Sequence, residues 1–284
     1  MLPTIERNPT SILVRYKEEG ILIDCGEGTQ RQLRYAKISP TKITKLLITH
    51  WHGDHVLGIP GLIQSLGANN YKKTLEIYGP KGSKKYLTNM LNGIIFHNRI
   101  KMKVKEIKSG IFFKNQDFHL ESLELKHNIP CLGYSIQEND KLRINLNYTK
   151  KFGLTRHPLL GKLQQGKDII YKGKKITVSK GTKTIKGKKL SIILDTKSFN
   201  EITKLTKNSN ILICESTWSE NQKNKKGNHL TSMDAAKIAK KSKAKKLILT
   251  HFSQRYKETK FLKDEAKKVF KNTISSKDFL EVNV

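Results

Sequence analysis

The stretch ITHWHGDHVLG, residues 48–58, places His50, His52, Asp54 and His55 within six positions. Imidazole and carboxylate side chains suit Zn²⁺, and a catalytic zinc commonly takes three protein ligands plus water. Four donors on one tight turn cannot all reach a single ion, but they can divide between two neighbouring ions. Gly53 is expected to supply a positive φ for the sharp turn. The competing reading is a solvated polar turn after a strand. One histidine would suffice for that, and it leaves the H-x-H-x-D-H spacing without a reason.

Metal donors this close together need rigid elements behind them. Apolar runs supply these: LLIT is followed by His50, LELK by His127, SIIL by Asp195, ILIC by Glu215 and LILT by His251. Five expected strands thus deliver a His, Asp or Glu at their C-terminal ends, where sites of α/β folds gather. His229 lies in GNHLTS, just before an expected helix. His97, His119 and His157 follow no such pattern and read as ordinary surface or structural residues.

The remaining pattern is mixed. SILVRY and ILIDC read as a hairpin turning at Glu19-Gly20, and EGTQRQLRYA as a helix. KLLIT (45–49) reads as a buried strand and VLGIPGLIQSL (56–66) as a helix despite Pro60. LEIYG, KVKEI, FHLESLELK, LGYSI and LRINL read as strands. After residue 189, strands (190–194, 210–214, 245–250) alternate with helices expected in SFNEITKLTK, TSMDAAKIAKKS and KFLKDEAKKVF. The class is α/β, with helices covering sheets.

With 55 Lys and Arg against 24 Asp and Glu, the net charge of +31 points to an anionic partner, most often nucleic acid. Residues 141–190 alone contain 15 basic residues and one acid, Asp168, with frequent glycines and little apolar periodicity. That segment is expected to have no core of its own and to protrude as a basic arm. Cys25, Cys131 and Cys214 form no C-x-x-C pair, which fits a reducing, cytoplasmic setting. No apolar run is long enough to span a membrane, and MLPTIERNPT lacks the apolar core of a signal peptide.

These residues resemble the metallo-β-lactamase superfamily, whose signature is H-x-H-x-D-H, and in particular its tRNase Z family. The likeness extends over PTIERN (3–8), DCGEGTQRQ (24–32), THWHGDHVLGIPGL, KHNIPCLGYSI, LDT, CESTW and NHLTSMDAAKIAKKSKAKKLILTHFSQRY. It implies an αββα sandwich spanning 1–284 as a single domain, with an inserted, flexible tRNA-binding arm at 150–188. It implies one zinc held by His50, His52 and His127, another by Asp54, His55 and His251, and Asp195 between them. The implied catalytic residues are Asp54 and His229, with Glu215 orienting His229. The implied activity is removal of the 3′ trailer from precursor tRNA by a cytoplasmic homodimer. The family normally has one more strand and a Gly-rich turn before P-T-x-x-R-N. Here the chain opens at Met1-Leu2-Pro3, so that strand is missing or the natural start lies upstream. The family's arm often carries Gly-Pro where this chain has His157-Pro158.

Three other functions compete. A phosphodiesterase for small esters would have no use for the basic arm. An RNA-binding protein without catalysis would gain nothing from His229 beside a full ligand set. A β-CASP-type nuclease would need a large extra domain after the first ligands, and only about seventy residues separate His55 from His127.

Overall fold

The computed structural model describes residues 2–95, 99–225 and 227–284; His97 lies outside the described residues. The first sheet has five strands in sequence order: β1 (Ile12–Tyr16), β2 (Glu19–Ile23), β3 (Lys45–Leu47), β4 (Thr74–Gly79) and β5 (Lys101–Glu106). β1 and β2 form the expected hairpin, but Tyr16 pairs with Glu19. The turn is therefore Lys17-Glu18, with Lys17 left-handed, and Gly20 lies inside β2. Gly20 is needed there because a Cβ would meet the Lys42 carbonyl oxygen at 2.3 Å. From β2 onward the pairs are parallel.

Helices α1 (Thr29–Tyr35), α2 (Gly53–Val56), α3 (Ile59–Ala68) and α4 (Ser83–Asn92) cover one face of this sheet. Leu22, Leu46, Leu75 and Ile77 of the strands pack with Leu33, Val56, Leu62, Leu66 and Leu87 of the helices. Pro60 sits in the first turn of α3, where its missing N–H costs nothing.

The second sheet draws on both ends of the remaining chain. It takes β6 (Gly110–Lys114), β7 (Phe118–Glu124) and β8 (Leu132–Glu138). Between these and its other strands come β9 (Lys141–Ile144), β10 (Ile169–Tyr171), β11 (Lys174–Ile176) and β12 (Thr182–Ile185), with α5 (Leu146–Thr149), α6 (Leu159–Gln164) and α7 (Val178–Gly181). The sheet then completes with β13 (Lys189–Ile193), β14 (Ile211–Glu215), β15 (Lys246–Thr250) and β16 (Thr273–Ser275). Its order is β16-β15-β14-β13-β8-β7-β6, and the β13-to-β16 pairs are parallel. α8 (Ile202–Leu205), α9 (Ser232–Lys241) and α10 (Lys260–Lys267) bury Leu205, Ala235, Ala239 and Leu262 against Leu212, Cys214, Leu247 and Leu249.

Alternate strand residues point the other way. Ile21, Ile23, Leu47 and Tyr78 are fully buried but belong to neither helix-facing cluster. Tyr78 packs on Phe112 of β6 (ring centroids 5.0 Å apart), and Phe112 on Tyr134 of β8 (5.9 Å). Helices outside and sheets face to face give the αββα sandwich. Strands covered on both sides read as continuous apolar runs. That is why KLL and LSII were legible as buried strands.

Contacts divide the chain into two compact units: 1–113, 120–136 and 189–284 form one, and 114–119 with 137–188 form the other. The expected arm, 150–188, falls inside the second. The expectation that this segment has no core is corrected. Leu154, Leu163, Ile169 and Ile176 are buried together there, with Tyr148, Phe152, Leu159 and Val178 packed around them. β9 pairs with β12 and β10 with β11, both antiparallel. Two further differences are local. SFNEITKLTK is helical only over Ile202–Leu205. The hydroxyls of Thr203 and Thr206 bond the backbone carbonyls of Asn200 and Ile202 and compete with propagation. Gly53 does not adopt positive φ; it opens α2 in ordinary helical geometry. No helix among the described residues is long and apolar enough to cross a membrane.

Candidate metal centre

The parallel register brings strand ends into line. Ile193, Cys214 and Leu249 are side by side in β13, β14 and β15. Asp195, Glu215 and His251 therefore emerge along one edge. β3 ends at the same level of the sandwich: the Thr49 carbonyl accepts from Leu132 N at 2.9 Å, just after the segment that carries His127. His229 is held by a different device. Thr231 caps α9 in a reciprocal capping box with Asp234. Trp218 N donates to the Leu230 carbonyl, and Ser232 N to the Trp218 carbonyl. These bonds lay the His229 loop beside the end of β14.

Three overlapping groups of donors result: His50, His52, His127 and Asp195; Asp54, His55 and His251; and Asp195, His229 and His251. In the first, His50 Nε2 and His52 Nδ1 are 3.0 Å apart, and His127 Nε2 is 3.3 Å from His52 Nδ1. In the second, His55 Nε2 and His251 Nε2 are 3.2 Å apart, and Asp54 Oδ2 is 3.3 and 3.4 Å from them. Asp195 faces both of these. Its Oδ2 is 3.6 Å from His50 Nε2, and its Oδ1 is 3.2 Å from His251 Nε2 and 3.6 Å from His55 Nε2. A tetrahedral ion with metal–nitrogen bonds of about 2.0–2.1 Å sets its ligands roughly 3.3 Å apart, which these separations match. Asp195 Oδ1 is buried yet accepts no hydrogen bond. A polar atom so placed suits a cation. Residues and geometry fit a pair of metal ions.

Residues 4–133 match the metallo-beta-lactamase superfamily. A ribonuclease Z from Pyrococcus horikoshii is 38% identical over 279 residues, which are 98% of this chain and 91% of the relative. The chain belongs to the ribonuclease Z family. A ribonuclease Z from Nanoarchaeum equitans is 36% identical over 92% of this chain and 83% of its own. The crystal structure of human tRNase Z, short form, superposes with a TM-score of 0.72 at 26% identity, covering 99% of this chain and 94% of that one. The chain is thus an enzyme of a hydrolase superfamily with a metallo-β-lactamase fold.

Behind the ribonuclease Z donors stand two matched sets of hydrogen bonds. His55 Nδ1 donates to Asp24 Oδ2 at 2.6 Å, leaving Nε2 a lone pair for a metal. His50 Nδ1 is 3.0 Å from the Thr49 hydroxyl, which donates to the same Asp24 oxygen at 2.7 Å. On the other side, His251 Nδ1 is 3.0 Å from the Thr217 hydroxyl, which donates to Glu215 Oε2 at 2.6 Å. His229 Nδ1 lies 3.1 Å from that oxygen, and Thr196 N donates to Glu215 Oε1 at 2.7 Å. Each buried carboxylate thus orients one histidine directly and a second through a threonine. Asp24 and His251 both adopt left-handed backbone (φ 57° and 55°), an uncommon state for such residues that the surrounding bonds enforce. Close backbone approach also places Asp24. A Cβ on Gly58 would meet the Gly26 carbonyl oxygen at 2.1 Å, and Cys25 N donates to the His55 carbonyl at 2.8 Å.

Burial lowers His50, and it pushes His251 down to about 4. Both are therefore neutral and able to donate lone pairs near neutral pH. Burial opposes ionisation of Asp195, but His251, His55 and His50 around it hold its carboxyl well below the usual range. Burial also disfavours a charged His229, yet the hydrogen bond to Glu215 and the charges of Glu215 and Asp195 together outweigh it and raise His229 above its ordinary value.

All nine residues singled out in the sequence converge here: His50, His52, Asp54, His55, His127, Asp195, Glu215, His229 and His251. His119 and His157 lie in the other compact unit. Asp24, Thr49 and Thr217 were not singled out. Asp24 follows the apolar run ILI, so the same strand-end pattern marks it.

Proposed function

We propose that the chain is a zinc-dependent endoribonuclease that removes the 3′ trailer from precursor tRNA. The tRNA would keep a 3′-hydroxyl and the trailer a 5′-phosphate. Supporting this reading is the convergence of eight metal-type donors in adjoining buried and half-buried groups, in a chain that aligns nearly end to end with ribonucleases Z. His50, His52 and His127 would hold one zinc, and Asp54, His55 and His251 the other, with Asp195 between. Bound there, two zincs would neutralise the phosphoryl oxygens and lower the pKa of a water.

The chain's own groups then handle protons. Asp54 is 15% exposed, against 0% and 2% for the side chains of His55 and His251, so it is the donor of its group best placed to accept a proton from water. His229 is a quarter exposed, and its raised pKa favours the protonated ring over that of a free imidazole, so it is the group placed to give a proton to the departing ribose 3′ oxygen. Glu215 fixes the His229 ring and balances its charge. The net +14 of residues 141–190 supplies sequence-independent grip on phosphates. The enzyme works as a cytoplasmic homodimer in this reading; its three cysteines are free and buried.

The test is to incubate purified protein with a precursor tRNA bearing a 3′ trailer, and to map the cut and its end groups. A single cut at the trailer junction with the ends named above is expected. No cut, or cuts scattered through the RNA, overturns the reading.

A further inference from the structure

A second cationic surface lies at the far end of the second sheet. Three segments meet there: 202–210, 235–250 and 266–276. Together they contain eleven lysines and no Asp or Glu. They hold the C-terminal ends of α8, α9 and α10, the residues that lead into β14, and the starts of β15 and β16. Backbone bonds fasten them into one platform. Asn208 N donates to the Ser242 carbonyl at 2.7 Å, Lys245 N to the Ser209 carbonyl at 2.8 Å, and Leu247 N to the Asn272 carbonyl at 2.9 Å. The Asn272 side chain donates to the Lys245 carbonyl at 2.6 Å. Lys207, Lys240, Lys243, Lys245 and Lys271 are all exposed on it.

Neither helix stability nor catalysis accounts for this surface. The helix dipole favours lysine and disfavours acids in each last turn by about 0.3–1 kcal/mol, but it falls off beyond that turn, and Lys207, Lys243, Lys245 and Lys271 lie past the ends of α8, α9 and α10. The metal centre is at the other end of the same strands. Five residues of strand at about 3.3 Å each put it roughly 16 Å away, beyond a Debye length of about 8 Å at physiological salt. The platform's charge is therefore screened from the scissile phosphate.

We propose that this platform is a second RNA-binding surface, one that takes the phosphate backbone of a structured region remote from the cleaved bond. Segments joined by backbone hydrogen bonds and carrying lysines without acids fit a helical backbone read by charge and shape, without base recognition. The proposal rests on the RNA-processing reading above only for the identity of its natural RNA.

The test removes charge without touching the core: Lys207, Lys240, Lys243, Lys245 and Lys271 are each changed to Gln in one variant. Binding of a 20-base-pair RNA duplex with no trailer and of a full precursor tRNA is measured against salt. Zinc content and hydrolysis of a small chromogenic phosphodiester are measured alongside. The variant should keep both of the latter. It should bind the duplex at least tenfold more weakly near 0.15 M salt, with the salt slope reduced by about two to four. Unchanged duplex affinity and slope overturn the proposal. So does loss of binding to anionic vesicles with RNA binding intact, since the surface would then serve a membrane. The duplex assay stands even if precursor tRNA proves not to be cleaved.

Discussion

Asp24→Asn is an isosteric change whose effect should be felt at the metal centre. Asp24 is fully buried and accepts three hydrogen bonds: from Thr49 N to Oδ1, and from the Thr49 hydroxyl and His55 Nδ1 to Oδ2. An asparagine can keep the Thr49 N bond through its oxygen. Its NH₂ group must then face two donors. The Thr49 hydroxyl can turn, but His55 relieves the clash only by moving its proton to Nε2, and that removes the lone pair aimed at the second group of donors. Loss of such an outer partner costs metal affinity about 10–100-fold, or roughly 1.4–2.7 kcal/mol. The weakening should be greater at the Asp54–His55–His251 group than at the His50–His52–His127 group, which depends on Asp24 only through Thr49. Titration with a chelator, followed by metal analysis, should show one ion leaving earlier than in the parent, with little change in thermal unfolding of the metal-free protein. Parental affinity for both ions would refute the role given to Asp24.

His229→Ala should retain both metals and RNA affinity while slowing cleavage by about 10²–10⁴-fold, with a smaller deficit on a substrate carrying a better leaving group; loss of metal would make His229 a ligand instead. Lys45 is buried between Glu19 (2.9 Å) and Glu76 (3.3 Å), so Lys45→Ala should cost about 3 kcal/mol in denaturant unfolding by leaving two carboxylates face to face. Burial pushes Glu19 up, but hydrogen bonds from Thr44 and Lys45 outweigh it and hold it below its ordinary value. Its contribution is thus full above the ordinary glutamate range and lost as pH falls through the lowered value, and Lys45→Ala should flatten that acid limb. Leu163→Ala, in the small core of the basic unit, should cost about 2–5 kcal/mol there and raise amide exchange within 137–188, with metal content unchanged.

How much of this was legible depended on whether a pattern was dense or dispersed. The strand ends were dense: an apolar run followed at once by His50, Asp195, Glu215 or His251 signals a sheet edge and a donor together. Asp24 met the same criterion after ILI, and its partner His55 is distant in sequence, so the bond between them could not be read in advance. The relays through Thr49 and Thr217 depend on side-chain directions that no spacing encodes. The core of the basic unit was dispersed. Leu154, Leu163, Ile169 and Ile176 are separated by lysines and glycines with neither helical nor strand period; β10–β11 pairing sets Ile169 opposite Ile176, Leu163 comes from α6 and Leu154 from the loop before it. Gly53 departs from the expected positive φ because the turn it opens is the first turn of a helix, where its φ is ordinary.

In the proposed function, two metal ions held by these strand ends carry out the cleavage. Elemental analysis of the purified chain, paired with its cleavage rate on precursor tRNA, tests it most directly. About two zincs per chain are expected, with His50→Ala and His251→Ala each losing metal and cleavage together. Full activity in a chain measured as metal-free would contradict it.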